Sequence, residues 1–342
     1  MAGSRGYHSY HGRTPKWKIA LAVLLVLVIL AAVGVIALQE HVVYDETGTP
    51  HLRLPVEKTE EAPPQEDDSV ELTIQAPQGP ETLCALALPE GPLTLAGLEA
   101  ALDTKAADVP SYNAAVVTLK GADGTVYFDS AAAVSGCVSL APDTDDALKK
   151  LAERTAYTAA RISCFRDPKA ANHDVKGMGL ENTGGYIFYD GNNNQWLDPA
   201  KPAARQYLCD LAKEAAALGF DEVVLTDVSY PTEGKLNKIA YGEGAKRENL
   251  LTFLAEMRTA LEPYSVALSV ELPETAFAAD GAEGDLSLSA VAAKVDRIYA
   301  QTDVAQADAL AARVEDAGTA DFVAELREYD DSVKGNCLIL PQ

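Results

Sequence analysis

Residues 184–198, GGYIFYDGNNNQWLD, crowd Tyr186, Phe188, Tyr189 and Trp196 among Asp190, Asn192, Asn193, Asn194 and Gln195. Aromatic faces stack on the C–H surfaces of sugars while side-chain amides bond hydroxyls, so this composition suits a carbohydrate. The same residues also suit an aromatic cluster that closes a core beneath a long loop. Groups able to move protons come later: Asp227 follows a short apolar run at 222–226, and Glu271 sits at the end of another at 265–272, with Glu274 three residues on. Thr118 and Thr226 carry hydroxyls that can bond a sugar. At neutral pH a hydroxyl neither attacks nor donates a proton without a strong base beside it.

Such side chains need elements that aim them at one place. Residues 203–218 repeat apolar positions at three- and four-residue spacing, Gly219 stops that helix, and an apolar strand follows at 222–226. Asp198-Pro199 reads as the signal that starts the helix. Strands are expected at 82–88, 114–119, within 155–164, and at 265–272, 297–300, 321–326 and 336–340. Helices are expected at 94–102, 144–154, 246–261, 286–293 and 304–314. Alternating strands and helices imply a parallel sheet, and eight strands imply a (β/α)8, TIM-barrel-like domain lacking its final helix. The last third is compressed, so a seventh segment that formed helix would leave the barrel incomplete at its C-terminus. In such a barrel, chemistry gathers where the strands end.

Three ordered blocks resemble a family of glycoside hydrolase-like proteins of the bacterial cell envelope with a TIM-barrel-like, α-amylase-like domain. Residues 113–129, NAAVVTLKGADGTVYFD, are similar to its N-A-V-V-I-D-V-K-D-x-x-G stretch, and 160–168, ARISCFRDP, to its A-R-I-V-x-F-K-D-P stretch. Trp196 to Pro199 match its W-x-D-P loop, and LAKEAAALGFDE at 211–222 matches the helix that follows. The resemblance runs over roughly residues 80–342 and implies a glycoside hydrolase acting on polysaccharide or cell-wall glycan. That reaction needs two carboxyl groups flanking the scissile bond. Glu271 stands where the family has an aspartate at the end of the fifth strand, which makes it the expected acid/base. Family aspartates on the second and fourth strands fall on Thr118 and Thr226, so the fourth strand's remaining carboxylate, Asp227, is the expected nucleophile, displaced by one residue. Side chains alternate along a strand, so that shift turns Asp227 to the other face unless the strand has already ended. Lys120, Arg161, Arg166 and Asp167 match family positions near strand ends. Lys120, Arg161 and Asp167, with Tyr189, Trp196, Thr118 and Thr226, are the expected substrate contacts, and an ion pair at the mouth is an equal reading for Arg161 and Asp167. The two missing aspartates keep a second reading open, an inactive barrel that binds carbohydrate or protein at the cell envelope.

Residues 19–38, IALAVLLVLVILAAVGVIAL, form an uncharged stretch of 20, long enough at ~1.5 Å per residue to cross a ~30 Å hydrocarbon core as one transmembrane helix. Arg5, Arg13, Lys16 and Lys18 precede it, and Glu40, Asp45 and Glu46 follow. The positive-inside rule therefore predicts a single-pass cell-membrane protein with residues 1–18 as a cytoplasmic tail and the rest extracytoplasmic. Residues 39–79, which include EKTEEAPPQEDDS, read as an acidic, Pro-rich linker to the domain at 80–342. A net charge of −23 argues against nucleic acid as a partner. Five histidines, with only His51 and His173 beyond position 41, leave too few for a His-based metal site or a Ser-His-Asp triad, and no cofactor is expected. Cys84, Cys137, Cys164, Cys209 and Cys337 are an odd number at wide spacing. They support neither a zinc site nor a disulfide framework and read as small buried hydrophobes.

Overall fold

The computed structural model describes residues 42–44, 50–52, 79–277 and 286–341, the first two as backbone alone. The expected transmembrane segment at 19–38, the tail before it and most of the linker lie outside the described residues. Among the described residues no helix is long and apolar enough to cross a membrane. The chain divides into two units, Met1–Glu71 and Leu72–Gln342. In the first, Val42–Tyr44 pairs antiparallel with Pro50–Leu52, so part of the segment read as an unstructured linker forms a strand pair. Its β-branched and aromatic run, VVY, favours extended backbone.

The second unit is a closed barrel of eight parallel strands: β1 (Cys84–Ala87), β2 (Ala114–Lys120), β3 (Tyr157–Ser163), β4 (Glu222–Thr226), β5 (Ala267–Glu271), β6 (Arg297–Gln301), β7 (Asp321–Leu326) and β8 (Asn336–Ile339). β8 pairs with both β7 and β1, so the barrel closes as eight strands imply, and the condition for an incomplete one, a helical seventh segment, is not met. The FVA run on β7 is short, β-branched and aromatic, and it pairs as a strand on both sides. The helices are α1 (Leu95–Asp108), α2 (Thr144–Arg154), α3 (Pro168–His173), α4 (Pro202–Ala217), α5 (Lys246–Leu261), α6 (Leu288–Val291) and α7 (Val304–Ala317). Residues 327–335 join β7 to β8 without a helix. The short α3 has no counterpart among the expected elements. Its signal is Asp167-Pro168: Asp167 caps the helix by accepting from the Ala170 amide, and proline fills the first helical position.

Two apolar layers flank the strands. Leu86, Val117, Leu119, Ile162, Leu225, Leu268, Val270 and Ile298 face the helices, while Ala85, Val116, Ala159, Val224, Val323 and Leu338 fill the lumen. Strands buried on both faces are why these runs read as continuous apolar segments rather than alternating ones. Gly219, at φ +95°, ends α4 in the left-handed region and lets β4 start three residues later.

The lumen floor is polar. Glu222 at the start of β4 is fully buried and pairs with Arg297 at 3.0 Å. It also accepts from the hydroxyls of Tyr299 (3.1 Å) and Ser269, while Arg297 donates to the Tyr157 hydroxyl at 2.8 Å. Burial raises Glu222 above the ordinary carboxylate range, against the opposing pull of Arg297.

Candidate functional site

Solvent reaches the strands at one level. Thr118 on β2, Arg161 on β3, Thr226 on β4 and Glu271 on β5 are half-buried within otherwise buried strands, and Gln301 at the end of β6 is exposed. Thr118 and Arg161 are register partners, so these positions line a common mouth at the C-terminal ends. A cleft of about 850 Å³ opens beside them, lined by Glu271, Glu274, Gln301, Thr302, Asp303 and Glu328 among others.

Asp227 reaches this mouth through an unusual backbone. β4 ends at Thr226, and Asp227 adopts φ +51°, a left-handed conformation that non-glycine residues enter only when something holds them there. Its carboxylate accepts from the Ser163 hydroxyl at 2.6 Å and lies 3.4 Å from Arg166 Nε, while its carbonyl accepts from the Phe165 amide. The one-residue displacement therefore does not turn the group outward, because alternation has stopped where the strand stops.

Arg161 is wedged between two carboxylates. It lies 3.3 Å from Glu271 and makes a direct ion pair with Glu325, an inward-facing residue of β7. One guanidinium neutralises one carboxylate, and burial penalises the second charge. Burial raises Glu271, with Arg161 opposing and the nearby Asp227 charge adding. Glu325 is deeper and is pushed up to about 7 by burial, against Arg161 and helped by Glu271. The Arg161 Nε hydrogen has no partner.

This arrangement has a consequence for stability. Both shifts are upward, so the folded chain keeps a proton that the unfolded chain releases near 4.5. The contribution is full below that pH and is lost as pH rises through about 7. Glu325→Gln, which removes the titration, is therefore expected to gain stability relative to the parent by on the order of 3 kcal/mol between pH 5 and pH 9. Urea unfolding at both pH values measures this. An equal difference at the two would show that no proton is held there.

Not every expected contact reaches the mouth. Lys120 and Asp167 are both fully buried, 3.0 Å apart, and Lys120 also donates to the Ser163 carbonyl at 2.6 Å. Within the fold they tie the β2 end to the α3 cap, the ion-pair reading for Asp167. The β2–β3 register shifts between Thr118 and Lys120, so that Lys120 pairs with Ile162. Trp196 is also buried. It is 7% exposed, packs in the core, and its indole N–H is held by Asp190 at 2.9 Å. Asp190 also accepts from the amides of Asn192 and Asn194, so the loop is folded around it. Phe188 is buried with Trp196, whereas Tyr186 and Tyr189 remain exposed. The asparagine run is thus in part loop architecture. Among the described residues no cluster of His, Cys, Asp and Glu is arranged to hold a metal ion.

Glu325 escapes sequence reasoning, although a signal exists. In DFVAEL, as in the strands that start with Glu222 and Arg297, a charged residue sits in or against an apolar strand run. A charge so placed is kept when a partner meets it across the lumen.

No curated protein sequence matches the chain. Among solved structures, a hypothetical protein from Ruminiclostridium thermocellum ATCC 27405 is 28% identical, covering 51% of this chain and 90% of its own, with a TM-score of 0.45. The glycoside hydrolase domain of PgaB (BpsB) from Bordetella bronchiseptica is 15% identical over 72% of this chain and 83% of its own, with a TM-score of 0.47. That of PelA from Pseudomonas aeruginosa is 16% identical over 72% and 84%, with a TM-score of 0.39. A sequence-family model described as "Putative glycosyl hydrolase domain" matches residues 97–301, a span that takes in Thr118, Arg161, Thr226, Asp227 and Glu271. Because that match covers more than half of the chain, the protein belongs to this glycosyl hydrolase-like family.

Proposed function

We propose that the barrel hydrolyses glycosidic bonds of a polysaccharide, with Glu271 and Asp227 as the opposed carboxyl groups. The observation that carries this reading is the left-handed turn at Asp227, which brings its carboxylate to the mouth and close enough to Glu271 to raise it. Glu271 lines the open cleft and, holding its proton, protonates the leaving oxygen. Asp227, aimed by Ser163 and Arg166, attacks the anomeric carbon or activates water from the other face. Arg161 and Glu325 position Glu271, while Thr118 and Thr226 offer hydroxyls to the sugar. Tyr189 is exposed on the neighbouring loop and is the retained aromatic candidate for stacking on a sugar.

Reducing-end release from a panel of cell-wall and dietary glycans by the full chain tests this reading. Turnover that falls about 10²–10⁴-fold in Asp227→Asn is the expected result. The second reading, a binding barrel, is favoured by the threonines at the two family aspartate positions. Saturable glycan binding with no turnover would establish it and sink hydrolysis.

We also read residues 19–38 as a single-pass anchor that holds the barrel outside the cytoplasm. The support is an uncharged stretch of 20 residues with bases before it and acids after it. Protease added to intact cells should then cut the barrel, and a fully protected barrel would refute the orientation.

A further inference from the structure

The barrel closes between its first and last strands, and two cysteines meet on that seam. Cys84 begins β1, and Cys337 is its register partner on β8, 253 positions away in sequence. Neighbouring strands run about 4.8 Å apart, within the Cα separations of about 4.4–6.8 Å that disulfides span. The two sulfurs already lie 3.7 Å apart and both side chains are buried on the helix-facing side. We propose that Cys84 and Cys337 form a disulfide site, a staple that oxidation closes across the seam of the barrel.

Two further observations fit. Cys84 also contacts the hydroxyl of Ser111, 3.7 Å away, and Ser111 is exposed, so a small oxidant has a short route to this sulfur. The contacts with Cys337 and Ser111 lower the Cys84 thiol to about 7 against its burial, whereas Cys137, Cys164 and Cys209 are pushed up by theirs.

With a small disulfide as oxidant, the step balances. The Cys84 thiolate attacks one sulfur of the reagent, breaks its S–S bond and expels one thiolate. Cys337 then loses its proton, attacks Cys84 Sγ and expels the second thiolate. Two electrons pass to the reagent, and the two cysteine protons end on the two released thiols. The staple sits at the start of the strands, opposite the mouth. It acts on β8, a strand of only four residues, and closes a loop of almost the whole barrel, the geometry in which a cross-link removes the most unfolded-state freedom.

The test is to treat the purified full chain with oxidised glutathione, trap free thiols with N-ethylmaleimide after unfolding, and map peptides. A linked Cys84–Cys337 peptide is expected, with a melting temperature about 5–10 °C higher that falls back on adding dithiothreitol. Cys337→Ser and Cys84→Ser should abolish both effects, and Cys209→Ser should keep both. The wild-type peptide map stands by itself if a seam variant fails to fold. Recovery of both cysteines as alkylated thiols, glutathione on Cys84 alone, or a linked peptide with an unmoved melting temperature would overturn the staple. None of these outcomes touches the glycosidase reading, which rests on the other end of the barrel.

Discussion

Glu271→Gln in the full chain is expected to cut glycan hydrolysis about 10²–10⁴-fold while the melting temperature stays within a few degrees of the parent. The amide keeps the shape and the Arg161 contact on its oxygen but cannot give up a proton to a leaving group. The substitution also removes one of the two acids that compete for Arg161, so Glu325 should pair more fully and offset part of any weakened contact. The variant therefore separates chemistry from folding. Because the acid acts only in the transition state, kcat should fall with KM little changed. A variant that hydrolyses at the parental rate would remove Glu271 from the mechanism, whatever its exposure in the cleft.

The largest effect on stability is expected on the barrel floor. Glu222→Ala should cost about 3–5 kcal/mol, because it leaves Arg297 charged in the lumen without its carboxylate and strips the hydroxyls of Tyr299 and Ser269 of their acceptor. The paired replacement Glu222→Leu with Arg297→Met should cost far less, since removing both charges also removes their desolvation penalty. Chemical denaturation of the three proteins decides the point. If the single variant is no worse than the pair, the network contributes no specific stabilisation, and the raised Glu222 marks only its burial.

Much of this fold was legible from local pattern. The bounds of α2, α5, β4 and β7 agree with the sequence reading to the residue, because an apolar run must meet water at both ends and the polar residues there mark where it does. The Glu271 position was legible too, as an acid that ends such a run. Glu325 and Glu222 are not legible there, for the converse reason. A charge inside an apolar strand has meaning only with its partner, and Arg161 and Arg297 lie on strands far away in sequence.

What the sequence by itself determined is the alternation of strand and helix, and with it a parallel barrel whose strand ends converge. The candidate acid, the family and the reading of an apolar anchor followed from the same string. Tertiary structure alone decided depth, direction and pairing. It buried Lys120, Asp167 and Trp196, swung Asp227 to the mouth through a positive φ, and brought Cys84 against Cys337 across the seam. Hydrophobic pattern records which residues leave water. It does not record which neighbour meets them there, because register and closure are set by contacts between segments that no local window contains.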